Sequence, residues 1–454
     1  MKSLFSRDQV SSNDLFQEHH CLREQHVKEF GFNRAPRSLT AQSNDGFNTF
    51  MASLGQERLQ ELATGETSGG IPPQVLLMEE REIEQNVDLA IDFLISYFKS
   101  GQFGEFECPF QDYKQQPIIC RYAAFLPPNN VPIKRVLHWC NGRTESLLKN
   151  LQTIYALREF RGAGLALVMM DHPGQGFSSR YLRDPFKGFA RDFDELINAQ
   201  KIFASIIRPQ LIKHNQSIGY EGGFTYRVGG HSMGSGIATR LLQEYPDLAD
   251  DWLFMSPMHD IETPFDFNFD QFGVIEQIAA RILKFLDILD RDFDYVPGSK
   301  PGYHPKPLPT KENPGINRLT TSSLQTTFLN KVRERYPGIT LGSPTIVWLN
   351  ESITECQKMR KKAGILREVI ASGKHLTVLR PTGEQVVGKK GQDRLYKLVG
   401  EGINVIDVDG EPKPQHEMLI ERPQIQYKAF RWLAEFAWGD GSLIASGPRT
   451  LEWI

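Results

Sequence analysis

"GGHSMGSG", Gly229 to Gly236, holds a G-x-S-x-G over Gly230 to Gly234. The chain has 38 glycines, so the pentapeptide alone is weak and its surroundings must decide. Upstream, "TYRVGG" reads as a strand. Downstream, "SGIATRLLQEYP" reads as a helix with Ile237, Leu241 and Leu242 facing inward. Strand, tight turn and helix form the setting of a nucleophile elbow, which exposes a serine hydroxyl at the top of a sheet. Gly230 and Gly234 flank a turn where side chains would collide. The helix N-terminus behind Ser232 favours developing negative charge. Ser232 is therefore the candidate nucleophile.

Working outward, β-rich runs alternate with helical patterns: "PIICRYAAF", "RVLHWC", "LALVMMD", "TYRVGG", "DWLFMSP", "HLTVLR" and "INVIDVD". Strands separated by helices predict an α/β fold, a mostly parallel sheet covered by helices on both faces. "GAGLAL" runs into a strand and fails as a dinucleotide loop. No P-loop and no repeat is found.

The alternation stops between about 257 and 345. There "FGVIEQIAARILKFLDIL" places Ile275, Ile278, Ile282, Leu286 and Leu289 on one helical face. The expected organisation is an N-terminal, mostly helical extension over 1–103, a first core part over 104–256, a cap insertion over 257–345 and a second core part over 346–454. Within the extension, apolar spacing predicts a helix from Leu77 to Phe98.

Net charge is −3, which gives no electrostatic case for nucleic acid. Cys21, Cys108, Cys120, Cys140 and Cys356 are odd in number and show no C-x-x-C, so neither a zinc site nor a disulfide framework is indicated. His19, His20 and His26 beside Cys21 read as a solvated polar helix, and no metal or cofactor is expected. The N-terminus has no apolar leader and no run spans a bilayer. The expected setting is the cytoplasm, with any membrane contact peripheral. Protein partners are not specified.

A serine hydroxyl needs a base to take its proton. In folds with this elbow the order is Ser, acid, His. His416, in "PKPQHEMLIER", follows the last strand-like run, where sites of open α/β sheets gather. His259, His304 and His375 are weaker alternatives. Glu384, in "HLTVLRPTGEQVV", sits in the loop after the preceding strand and is the expected acid. Glu351, Glu355, Asp407 and Asp409 are its rivals. The oxyanion hole should use the amide of Met233 and one from "RVLHWCNGRTES", assigned to Arg143. In the cap, Phe265, Phe267, Phe269 and Phe272 are candidate contacts for an acyl chain.

Together, "NGRTES", "DHPGQGFSSR", "GGHSMGSGIATRLL", "SPTIVWLNES", "LRPTGEQVV" and "QHEMLIER" follow one another as in bacterial lysophospholipases. These are monoglyceride lipase-like members of the α/β-hydrolases, and the resemblance covers roughly 104–435. It implies Ser232, Glu384 and His416 as the triad and Arg143 and Met233 as oxyanion donors. It also places the loop Asp171 to Arg180 beside the active site. Two positions depart from the pattern: the acid is Glu where Asp is common, and Asn141 stands where His often precedes the glycine. The implied activity is hydrolysis of a lysophospholipid or monoacylglycerol ester. The alternatives are a short-chain carboxylesterase, a serine peptidase-like hydrolase, or a non-catalytic scaffold binding lipid or protein.

Overall fold

The β-rich runs become strands in the computed structural model, which describes residues 12–34, 83–84, 86–261 and 294–439. The strands are β1 (Asn33–Arg34), β2 (Gln102–Gln111), β3 (Pro117–Phe125), β4 (Arg135–Cys140), β5 (Leu165–Met170), β6 (Thr225–His231), β7 (Asp251–Met255), β8 (Leu376–Pro381) and β9 (Asn404–Val408). Among the described residues they form one sheet in the order β1-β2-β3-β5-β4-β6-β7-β8-β9. β3 pairs antiparallel with both β2 and β5, and from β5 through β9 every pairing is parallel.

The helices are α1 (Ser12–Phe30), α2 (Val87–Phe98), α3 (Phe193–Ser217), α4 (Met233–Glu244), α5 (Ser323–Arg335), α6 (Ile346–Lys361), α7 (Ala363–Ala371), α8 (Lys389–Val399) and α9 (Pro423–Trp438). Alternation along the strands feeds two apolar cores. Leu137, Trp139, Leu167 and Met169 pack on one face with residues of α2 and α9. Val136, Cys140, Val168 and Met170 pack on the other with residues of α3, α4, α7 and α8. β5 is buried at every position, as a parallel strand covered on both faces must be. Each fully buried large side chain such as Trp139 or Phe203 contributes roughly 1.5–3 kcal/mol or more. None of the helices described is long and apolar enough to cross a membrane.

Helix α2 begins at Val87 because Asn86 caps it, its side chain accepting from the amide of Leu89 at 3.1 Å. Residues 83–84 are helical as well. Ile91, Leu94, Ile95 and Phe98 enter the core, together with Val27 and Phe30 from α1 and Phe32 beyond it. The N-terminal helices thus share a core with the sheet. The expected helix over Ile275 to Leu289 and the cluster Phe265, Phe267, Phe269 and Phe272 lie outside the described residues.

Candidate active site

Loops from the carboxyl ends of β4, β6, β7, β8 and β9 converge. Ser232 joins β6 to α4 with φ 53° and ψ −119°, a left-handed turn that an L-residue rarely adopts. Backbone hydrogen bonds to the next strand and the loop after it hold it in place. Its amide donates to the Met255 carbonyl at 2.9 Å, and its carbonyl accepts from the Met258 amide at 3.0 Å. A Cβ on Gly234 would come 2.1 Å from the Cys140 carbonyl oxygen, so only glycine lets α4 approach the end of β4 this closely. Met233 opens α4, where the first amides have no intrahelical acceptor.

Glu384 follows β8 and His416 follows β9. The Nδ1 of His416 lies 2.8 Å from Glu384 Oε2, and both side chains are almost fully buried. Glu384 Oε1 accepts from the amides of Val386 at 2.7 Å and Val387 at 3.2 Å. Burial alone would raise the Glu384 carboxyl; the charge of His416 and these hydrogen bonds outweigh it and hold it below the usual range. Burial alone would lower His416; the Glu384 carboxylate outweighs that and raises it. His416 is pinned through its backbone carbonyl, which accepts from Ser256 Oγ at 2.6 Å and faces His231 Nε2 at 3.2 Å. The rings of His231 and His416 are 4.8 Å apart, which sets His416 beside the elbow. Among the described residues the Ser232 hydroxyl has no hydrogen bond to His416; in unliganded sites such bonds are often long and tighten with substrate.

The rival residues have other neighbours. Glu355, on α6, is buried against Arg240 at 2.8 Å and Lys358 at 2.6 Å. Glu351, also on α6, is pushed up to about 7, chiefly by burial and then by Asp192. Asp407 pairs with Arg380, and Asp409 accepts from the Thr382 hydroxyl. His259 bridges Thr239 and Tyr396, His304 faces the Pro301 carbonyl, and His375 pairs with Asp251.

Two groups support the site, of which the first escaped sequence reasoning. Behind the elbow, Lys149 lies between Glu145 at 2.7 Å and Glu417, and His231 Nδ1 lies 2.5 Å from Glu145. Burial opposes both charges, yet Lys149 and His231 hold Glu145 well below the carboxylate range, and Glu145 and Glu417 raise Lys149. Glu145, His231 and Glu417 have metal-like spacing, but the Lys149 ammonium already supplies the cation between the two carboxylates. Glu145 and Lys149 are four residues apart, a spacing that from sequence reads as an ordinary exposed helical pair.

The second group is the loop 171–180. Asp171 accepts from the amides of Leu147 at 2.8 Å and Phe177 at 2.7 Å. His172 Nε2 lies 2.7 Å from the Asn141 carbonyl, and Gln175 donates to the Gly142 carbonyl at 2.8 Å. This loop therefore braces the turn that carries Arg143. Arg143 and Met233 line one small pocket with Phe189, Leu196, Leu341 and Trp348.

A family described as serine aminopeptidase, S33, matches residues 132–422, well over half of the chain. The chain is 23% identical over 318 residues to a probable lysophospholipase L2 of Haemophilus influenzae, covering 69% of this chain and 87% of that protein. It is 25% identical over 343 residues to lysophospholipase L2 of Escherichia coli, covering 69% and 86%. A carboxyl esterase from Bacillus coagulans superposes with a TM-score of 0.51 at 13% identity, covering 74% of this chain and 97% of that one, which shows the shared fold.

Proposed function

Because the chain belongs to the serine aminopeptidase S33 family and is a hydrolase of the α/β-hydrolase fold, we propose that it cleaves the carboxylic ester of a single-chain lipid through an acyl-enzyme on Ser232. The observation that carries the reading is the buried Glu384–His416 hydrogen bond beside a serine held on a left-handed turn at a helix N-terminus. In this mechanism His416 takes the Ser232 proton as Oγ attacks the ester carbonyl. The amides of Met233 and Arg143 receive the oxyanion. His416 then protonates the departing alcohol, and a water activated by the same ring releases the fatty acid. Glu384 orients the imidazole and stabilises its charged form.

The lipid specificity is supported by the two lysophospholipase relatives and by the apolar pocket wall of Phe189, Leu196, Leu341 and Trp348 beside Met233. Phe265, Phe267, Phe269 and Phe272 remain part of the proposal as further acyl contacts. So does the cap over 257–345, whose described part reaches the site: the Leu319 carbonyl accepts from the Glu417 amide at 2.7 Å. The site works beside, not across, the bilayer, with membrane contact peripheral.

The test is kcat/KM across monoacyl esters from two to eighteen carbons, with Ser232→Ala as the control. Each methylene buried contributes about 0.8 kcal/mol, so the value should rise with length until the pocket fills. Ser232→Ala should lose on the order of a million-fold in kcat with the fold intact. A steady decline beyond four carbons indicates a short-chain esterase. Preference for an aminoacyl anilide over every ester would establish the peptidase reading suggested by the family description.

A further inference from the structure

Among the described residues, the guanidinium of Arg143 has no ion pair with a carboxylate. Other buried arginines are matched: Arg227 by Asp251 at 2.8 Å, Arg240 by Glu355 at 2.8 Å and Arg121 by Glu105 at 3.2 Å. Arg180 carries no carboxylate but spreads its donors over five backbone carbonyls. Arg143 donates one hydrogen bond, from Nη2 to the Gly342 carbonyl at 2.6 Å. Its planar head lies 5.0 Å over the Trp348 ring and against Gly188, where a Cβ would come 2.6 Å from Nη2. Its Nε is buried without a hydrogen-bond partner. A guanidinium has five N–H donors in a fixed fork, so most of this one's capacity is unused.

Position adds to the charge. The Arg143 side chain lines the small pocket that Met233, the residue after Ser232, also lines, so it stands beside the elbow. Burial lowers the guanidinium only to about 10, which leaves it charged at neutral pH. Lys306 and Arg333 stand nearby. Lys306 keeps solvent exposure, yet the surrounding protein and the charges of Arg333 and Arg143 push its ammonium down to about 8, with Glu417 the acidic group opposing them. Arg143 is the one charged side chain among the residues that line this pocket.

We propose that the side chain of Arg143 is a specificity-determining group that binds the phosphate of the substrate's headgroup. The inference rests on the lipid ester reading above and sharpens it. A phosphate offers oxygens in the geometry that a guanidinium fork binds in pairs. It sits a few bonds from the scissile ester of a lysophospholipid and is absent from a monoacylglycerol. The stack on Trp348 leaves the ring plane's edge, with its N–H groups, free to meet it.

The test has two arms. In the first, Ser232 is labelled with a fluorophosphonate in the presence of sn-glycerol 3-phosphate or glycerol. Glycerol 3-phosphate should slow labelling of the native protein and glycerol should not; Arg143→Gln should lose that protection and Arg143→Lys should keep part of it. Equal protection by both compounds, or protection undiminished in Arg143→Gln, overturns the proposal. The second arm measures the ratio of kcat/KM for lysophosphatidic acid over a monoacylglycerol of the same chain. That ratio should fall about ten- to a hundred-fold in Arg143→Gln, the loss of hydrogen bonds to a charged group. If both substrates decline together and the ratio holds, Arg143 merely fastens Gly342 and Trp348 to the core and the proposal fails. If the native protein cleaves neither lipid, the ester reading fails, while the labelling arm still judges Arg143.

Discussion

At the scale of single residues, Glu384 and His416 control each other's charge. In the proposed mechanism His416 must be neutral to accept the Ser232 proton, so activity should be lost as it protonates. The carboxylate raises His416, which places the acid limb of kcat/KM above its reference value of about 6.5. Glu384→Gln removes the dominant raising influence and leaves burial, which lowers. The expected result is a loss of several orders of magnitude in kcat together with an acid limb moved to lower pH. A variant that loses activity but keeps the native limb would separate Glu384 from His416. These two residues were legible from sequence because each follows a strand, and strand ends are where this sheet gathers its chemistry. Glu145, Lys149 and Glu417 were not. Their roles depend on burial, and a buried ion pair is written in the same letters as an exposed one. The phenylalanines at 265, 267, 269 and 272 stay outside what the structure describes.

At the scale of elements, the parallel strands were legible because continuous Val, Leu, Ile and Met runs admit few other readings. Strand β2 was not. Pro109 and two glutamates sit within it, and its register shifts between Glu107 and Gln111, next to the residue that cannot donate to the ladder. The alternation of buried Phe106, Cys108 and Phe110 was the available signal. The docking of α1 was equally hidden, since its partners are distant in the chain. Phe30 meets Phe98 at 5.5 Å, Phe177 at 5.4 Å and Tyr336 at 5.6 Å between ring centroids. Phe177 belongs to the loop that braces the Arg143 turn, so α1 supports the site at one remove. Phe30→Ala should cost about 3–5 kcal/mol in denaturant unfolding and should also lower kcat more than KM. Full activity at an unchanged unfolding midpoint would show that α1 is a passenger.

At the scale of the whole molecule, the order of the sheet has a consequence for how the protein is made. β7 ends at Met255 and its parallel neighbour β8 starts at Leu376, with the insertion between them. A ribosome adds about 5–20 residues per second, so β7 waits on the order of ten seconds with one edge unpaired. That edge is buried in the finished protein and built from Trp252, Leu253 and Phe254, the kind of surface that recruits stray strands. Nascent chains should therefore be most prone to aggregate after β7 emerges and before β8 does. Ser232 precedes His416 by a longer stretch still, so if these two carry the chemistry as proposed, the hydrolase is born inactive and acquires it last. A chain stopped at residue 345 should need a chaperone to stay in solution and should not react with a fluorophosphonate, whereas one stopped at 439 should stay in solution unaided and should react. A soluble, cooperatively melting product of the shorter chain would show that the insertion itself shields the waiting edge.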